Sequence, residues 1–311
     1  MSSKQSSGLA DLSSQLSRAV ETAAGYTVAI HARRRIPSSG IVWRDGLIVA
    51  TSHTVRRDGE VPVTLPNGES VTATVAGRDP GTDLILLRAN GVKSTAERAE
   101  ESESSVGSFV LAVGRPGRDV SASFGIISAR TRAWRTGQGT QLEGVLRLDM
   151  GVYDGFSGGP LVAASGRIIG INNSAFARGG AASLSAAAVD SFVDEILARG
   201  HVRRPFIGVA VHPVTLPQVT VDRHKLSSDS GLVVLSVGAG SPAEAAGILV
   251  GDVLLRAGAR TFERMSDLLD AIVQVEDGKA LELALLRGGT PTTVSVSPID
   301  RGGASDRRDD E

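Results

Sequence analysis

Asp154-Gly155-Phe156-Ser157-Gly158-Gly159-Pro160, followed at once by the apolar run Leu161, Val162 and Ala163, sets one serine among glycines. Glycine admits backbone dihedrals closed to other residues and leaves no side chain between main-chain N–H groups and a ligand. Such a turn can present a hydroxyl and anion-binding amides side by side. A hydrolase that attacks a carbonyl with serine needs both: an exposed nucleophile, and N–H donors aimed at the oxygen that becomes negative in the tetrahedral intermediate. A glycine-rich hairpin turn has the same composition, because Gly and Ser also dominate turns for conformational reasons. By itself the stretch does not choose between the two.

The rest of the chain supplies a base and an orienter. Leu47-Ile48-Val49-Ala50-Thr51-Ser52-His53 ends an apolar, strand-like run on a histidine, and Gly81-Thr82-Asp83 places an aspartate immediately before Leu84-Ile85-Leu86-Leu87. Taken singly, a strand-end histidine is an ordinary polar residue and an aspartate opening a strand is ordinary turn punctuation. With Ser157 they run His, Asp, Ser, which is the chymotrypsin-type order and not that of subtilisin or the α/β-hydrolases.

Around these residues the pattern is that of a β protein. Eleven short Val, Ile and Leu runs, from Thr27–Ile30 to Ile168–Ile171, are cut by Gly, Asn, Asp or Pro, and Arg44-Asp45-Gly46 and Pro66-Asn67-Gly68 are hairpin signals. Strands without intervening helices predict an all-β body, and the triad order makes it a pair of barrels with His53 and Asp83 in the first and Ser157 in the second. Ahead of it, Leu9, Leu12, Leu16 and Val20 form the apolar stripe of an amphipathic helix. Behind it, Val189, Phe192, Val193, Ile196 and Leu197 keep helical spacing and Gly200 supplies a stop, closing this body with a helix over Ser185–Arg199. A second unit then opens at Pro205, with strands, a helix over Ser266–Val275 and two further strands.

Four segments, Ile48–Val55, Gly77–Leu84, Leu111–Gly117 and Asp154–Val162, resemble in order the consecutive blocks of the HtrA (DegP-like) family of trypsin-fold serine proteases, and the second unit resembles a PDZ domain almost block for block. The resemblance covers roughly residues 20 to 300. It implies a mainly β fold: a chymotrypsin-like double β-barrel followed by a small α+β PDZ domain. The expected division is an N-terminal amphipathic helix or arm (1–24), a protease domain (25–200), a linker (201–204), the PDZ domain (205–300) and a disordered charged tail (301–311). It also implies an ATP-independent serine endopeptidase of protein quality control, cleaving unfolded or C-terminally tagged proteins. In that reading His53, Asp83 and Ser157 are the triad and the N–H groups of Gly155 and Ser157 form the oxyanion hole. Phe206-Ile207-Gly208-Val209 is the loop that captures a peptide's terminal carboxylate, beside a strand that takes the peptide as an added strand. A homotrimer, or a multiple of it, is implied as well. Two positions depart from the family pattern: Phe156 stands where Asn is usual, and Tyr153-Asp154 replaces Asn-Pro. The alternative is a catalytically impaired PDZ-containing scaffold or chaperone whose altered loop does not reach a competent geometry; a soluble β-domain unrelated in activity is the third reading.

Gly151, six residues before the serine, lies where enzymes selective for Arg or Lys carry an acid. A small neutral residue offers nothing to a buried substrate cation, so small or medium apolar side chains are expected before the cut. With 33 basic and 34 acidic residues the net charge is −1, which argues against a nucleic-acid or anionic-membrane partner. There is no cysteine, hence no disulfide, thiol catalysis or cysteine-bound zinc. No H-E-x-x-H occurs, and His31, His53, His201, His212 and His224 show no ligand spacing, so neither metal nor cofactor is expected. Gly238-Ala239-Gly240-Ser241-Pro242-Ala243 fits the dinucleotide G-x-G-x-x-G/A pattern, but the helix that Pro242 starts ends at Gly247, too short for a crossover. No membrane-length apolar run is present, and the start of the chain lacks the basic and apolar regions of an export signal. As it stands the sequence reads as cytoplasmic, with export possible if a true start has been removed.

Overall fold

The computed structural model describes residues 3–33, 35–131, 134–135, 141–142, 144–176, 181–276 and 278–300. The expected charged tail, 301–311, lies outside them. The chain forms two compact units, Met1–Val202 and Arg203–Glu311, so the division falls inside the expected linker.

In the first unit six strands close a barrel: β1 (Thr27–Ile30), β2 (Ser38–Arg44), β3 (Leu47–Thr51), β4 (Glu60–Thr64), β5 (Ser70–Asp79) and β6 (Leu84–Arg88), in the order β1-β2-β3-β6-β5-β4. The second barrel is built from β7 (Phe109–Gly114), β8 (Ser121–Thr131), β11 (Val145–Asp149), β12 (Pro160–Ala163), β13 (Ile168–Asn172) and β14 (Ala181–Ser185), ordered β11-β14-β13-β12-β7-β8, while the short β9 (Trp134–Arg135) and β10 (Gln141–Leu142) pair with each other. Strands β1, β3, β12 and β13 are buried at every position. That is why they read as continuous apolar runs and not as alternating ones: both faces of each strand are covered.

Strand β14 was not among the eleven expected. Its sequence, Ala181-Ala182-Ser183-Leu184-Ser185, is too small and polar to register as a strand, yet it pairs with both β11 and β13 and closes the barrel. A strand held on both sides by ladder hydrogen bonds does not need high intrinsic β preference. Helix α1 (Ser3–Ala24) realises the expected stripe over its second half, where Ala19 and Ala23 are buried and Leu16 and Val20 pack on the core. Leu9, nearer its start, is 73% exposed.

The closing helix α2 (Ala186–Arg199) begins at the Ser185 cap, whose hydroxyl accepts from Ala188 N–H, and ends on Gly200 in the left-handed region. Asp190 on this helix accepts from Trp43 Nε1 at 2.7 Å and from Arg98 and Arg44 at 3.2 Å each, while the Arg98 guanidinium lies 3.6 Å over the Trp43 ring. Burial pushes the Asp190 carboxyl up, but the hydrogen bonds from Arg98 and Trp43 outweigh it and hold the group below the usual carboxylate range. A depressed folded-state pKa contributes stability that is present above the unfolded value, about 3.9, and is lost as pH falls through the folded one. Asp190→Asn should therefore lower the melting temperature at neutral pH and flatten its fall below about pH 4. Melts of the two proteins that run parallel through acid would show that this cluster is not a source of the acid sensitivity.

The second unit has a sheet ordered β16 (Val209–Thr215), β17 (Ser230–Val237), β18 (Val253–Ala257), β20 (Leu281–Arg287), β21 (Thr290–Val296), with β19 (Arg260–Thr261) on β18. A two-stranded piece joins β15 (Pro205–Phe206) to β22 (Ile299–Asp300). Helix α3 (Gln218–His224) was not anticipated from the sequence. Helix α4 (Pro242–Ala245) is a single turn capped by the Ser241 hydroxyl, as the argument against a dinucleotide site requires. Helix α5 (Met265–Val273) buries Leu268, Ala271 and Ile272 in a core shared with Ile207, Leu232, Phe262 and Leu283. Asp252, 2% exposed, takes two hydrogen bonds from Arg287, at 2.9 and 2.7 Å, and one from Leu249 N–H. Among the described residues no helix is long and apolar enough to cross a membrane.

Candidate active site

The histidine is delivered by the end of β3. The chain leaves the strand in a 3₁₀ turn, Ser52–Thr54, pinned by a bond from Thr54 Oγ1 to the Thr51 carbonyl. Facing it, the aspartate is delivered by the turn between β5 and β6. The buried Asp79 carboxylate accepts from the N–H groups of Gly81 and Thr82 and from the Thr82 hydroxyl, folding the backbone so that Asp83 adopts a φ of 53°. Asp is one of the few non-glycine residues enriched in that region. The Asp83 carboxylate then takes both the backbone N–H of His53, at 2.8 Å, and His53 Nδ1, at 2.5 Å. With Nδ1 committed to a carboxylate, Nε2 is the nitrogen left to accept a proton.

Ser157 sits in a turn whose every corner is fastened. Phe156 N–H donates to the Tyr153 carbonyl, Gly159 N–H to the Phe156 carbonyl and Gly158 N–H to the Asn172 carbonyl on β13. From the first barrel, Ser39 on β2 donates its hydroxyl to the Gly155 carbonyl at 2.6 Å and its N–H to the Ser157 carbonyl at 3.2 Å, while accepting from Arg115 N–H at 2.7 Å. Arg115 in turn spans the carbonyls of Thr27, Arg118 and Ala24. Gly155 and Gly158 have φ of 85° and 88°, which a residue with a side chain would hold only under strain. Phe156 is an anchor: its ring is 2% exposed, lies against Gly114 and meets Tyr153 edge to face at 5.6 Å.

Among the described residues no backbone or side-chain acceptor takes the N–H of Gly155 or Ser157, so both remain available to an oxyanion. Ser157 Oγ and His53 Nε2 are brought to the same place, but no hydrogen bond joins them directly. Ser174, at the start of a 3₁₀ turn (Ser174–Phe176), stands between: Ser157 Oγ donates to Ser174 Oγ at 2.8 Å, Ser174 Oγ lies 3.4 Å from His53 Nε2, and Ser174 N–H donates to Ser157 Oγ at 3.3 Å. Gly151 is exposed, and the Tyr153 ring covers it so closely that an added methyl would lie 2.9 Å from its hydroxyl. Sequence reading found neither Ser39 nor Ser174. Each acts across a long sequence interval, and neither lies in a motif with a chemical signature.

In the second unit, β16 is an edge strand and α5 packs beside it. The carbonyls of Ile207 and Gly208 are held by the N–H groups of Ala243 and Gly238, at 2.8 and 2.9 Å. A planar trans peptide sets its N–H opposite its C=O, so the N–H groups of Gly208 and Val209 point away from those bonds. The Ile207 side chain belongs to the core, so this loop offers its backbone there, with Phe206 half-buried beside it.

Residues 38–171 match the trypsin-like peptidase domain family and residues 205–297 the PDZ domain family. The chain is 34% identical over 280 residues to the serine protease Do-like HtrB of Bacillus subtilis, with 83% of this chain and 61% of that protein covered. To a probable periplasmic serine endoprotease, DegP-like, of Chlamydia trachomatis it is 31% identical over 273 residues, covering 84% of this chain and 54% of that one. It thus spans between about half and three fifths of the length of these curated relatives. The crystal structure of the serine endoprotease from Yersinia pestis superposes with a TM-score of 0.73 at 25% identity, covering 92% of this chain and 97% of the other. The HtrA-type protease AlgW with a decapeptide gives 0.75 at 22% identity, with 92% and 98% covered, a likeness of fold.

Proposed function

Because this chain is HtrA/DegP-like, a trypsin-fold domain followed by one PDZ domain, we propose that it is a serine endopeptidase whose nucleophile is Ser157. The observation that carries the reading is the Asp83–His53 pair, closed at 2.5 Å and 2.8 Å, facing a serine whose loop leaves two N–H groups free of internal acceptors. In the reaction His53 takes the Ser157 proton as Oγ attacks a peptide carbonyl and then gives it to the leaving amine. Asp83 holds the imidazole in the needed tautomer and stabilises the imidazolium. The N–H groups of Gly155 and Ser157 meet the developing oxyanion, a donor of this kind being worth about 2.7–4 kcal/mol. Gly151 beneath Tyr153 gives the pocket before the cut no charge to pair with Arg or Lys, so cleavage after small or medium apolar residues is part of the proposal.

Its substrates are unfolded or C-terminally tagged proteins, captured by the loop at Phe206–Val209 and laid along the β16 edge as an added strand. Self-association as a homotrimer through α1 belongs to the same reading, supported by the exposed Leu9. A serine-directed fluorophosphonate tests the core of it: wild type should be labelled on Ser157. A folded protein that resists the reagent would favour the scaffold reading, for which the interposed Ser174 is the one specific observation.

The second unit should act as a tether. Tethering raises the local concentration of substrate without altering the chemistry. A chain ending at Val202 should cleave a short generic peptide at nearly the full-length rate, yet lose about tenfold or more in efficiency on substrates with a free apolar C-terminus. Amidating that terminus should reproduce the loss on the full-length chain. Insensitivity to both changes would remove the carboxylate loop from the proposal.

A further inference from the structure

We infer that Ser174 is a latch that holds the resting nucleophile away from its base, an inference that rests on the reading of Ser157 and His53 just given. Two groups of residue 174 engage the same oxygen. Its hydroxyl accepts the Ser157 proton at 2.8 Å, the proton that His53 must receive, and its backbone N–H donates to Ser157 Oγ at 3.3 Å, occupying electron density needed for attack. His53 is left with the Ser174 hydroxyl at 3.4 Å, a long contact. Everything else is in place: Asp83 already orients the imidazole, and the turn carrying Ser157 is fastened from both barrels.

The latch is built into the frame. Asn172, at the end of β13, takes Gly158 N–H on its carbonyl, so the strand that positions the nucleophile leads two residues later into the residue that blocks it. The turn is kept curled by Ala175 N–H on the Asn173 side chain, at 2.9 Å, and by Phe176, which is buried in the core. Ser174 withdraws when this turn opens. A proton relay from Ser157 through Ser174 to His53 would use the same hydroxyl, but it gives no role to the backbone N–H on Ser157 Oγ and requires transfer across the longer of its two links, 3.4 Å against 2.8 Å.

The test is the second-order rate of Ser157 labelling by a small fluorophosphonate, measured on the full chain with melting temperatures recorded alongside. Ser174→Ala and Ser174→Gly remove the hydroxyl and should label about three- to tenfold faster, the factor that one net hydrogen bond is worth. Ser174→Thr keeps a hydroxyl and should stay near the wild-type rate. Ser174→Ala labelling tenfold more slowly at an unchanged melting temperature would replace the latch by a relay. Equal rates for wild type and all three variants would mean that the hydroxyl is idle, leaving the proposed function standing. If neither wild type nor Ser174→Ala is labelled although both are folded, the proposed function fails and the latch with it.

Discussion

Ser157→Ala will abolish cleavage of an unfolded protein such as casein, a loss of about 10⁴-fold or more, while the melting temperature stays close to that of wild type. In the proposed reaction the oxygen removed is the one that bonds to the substrate, and its loss from the fold costs only the contacts with Ser174, a small change at the edge of a turn whose backbone is held by Ser39, Asn172 and Tyr153. His53→Ala should lose nearly as much, because the members of a triad act as a unit. Residual cleavage of a few per cent by either variant, with contaminating proteases excluded by an inhibitor, would sink the assignment of the nucleophile and base.

The second large effect needs only one added methyl. At Gly158 a Cβ would stand 2.1 Å from the Ser39 carbonyl oxygen and 3.3 Å from the Thr51 N, and the residue has a φ of 88°. Both neighbours are backbone of the first barrel, so neither can swing aside. Gly158→Ala should displace the proposed nucleophile, Ser157, relative to His53, and a misplacement of an ångström costs about 10²-fold in rate. Fluorophosphonate labelling of Ser157 measures it directly. Gly117→Ala, where an added methyl meets nothing within 4 Å, serves as the neutral control. Labelling of Gly158→Ala at the wild-type rate would mean that the turn is not under the backbone constraint described.

The residues proposed to carry the chemistry were more legible in the sequence than the scaffolding around them. His53, Asp83 and Ser157 could be found because each stands at the edge of a strongly apolar run, and the runs are strands buried on both faces, whose sequences need no partner to be recognised. Strand β14 escaped because Ala, Ser and Leu in that proportion carry no periodic signal; its place is decided by β11 and β13, which lie before it in the chain. The stripe of α1 was legible as a helix, but which part of it meets the body depends on where the barrels end. Phe156, a departure from the family pattern, shows its role only in three dimensions, where Gly114 and Tyr153 give its ring a site. The hydroxyl of Ser174 is silent in sequence because a serine after a strand is an ordinary turn residue.

The grip of Ser39 on Gly155 and Ser157 spans 116 residues, reckoned from its hydroxyl bond. During synthesis Ser39 leaves the ribosome long before the glycine-rich turn, and the turn reaches its Asn172 fastening only after β13 has followed it out. Until then the chain carries its serine without the frame that sets the oxygen and the two amides in order. Under the proposed function, the serine gains its setting only when the two barrels interlock, so a nascent chain has no assembled site with which to cut its neighbours.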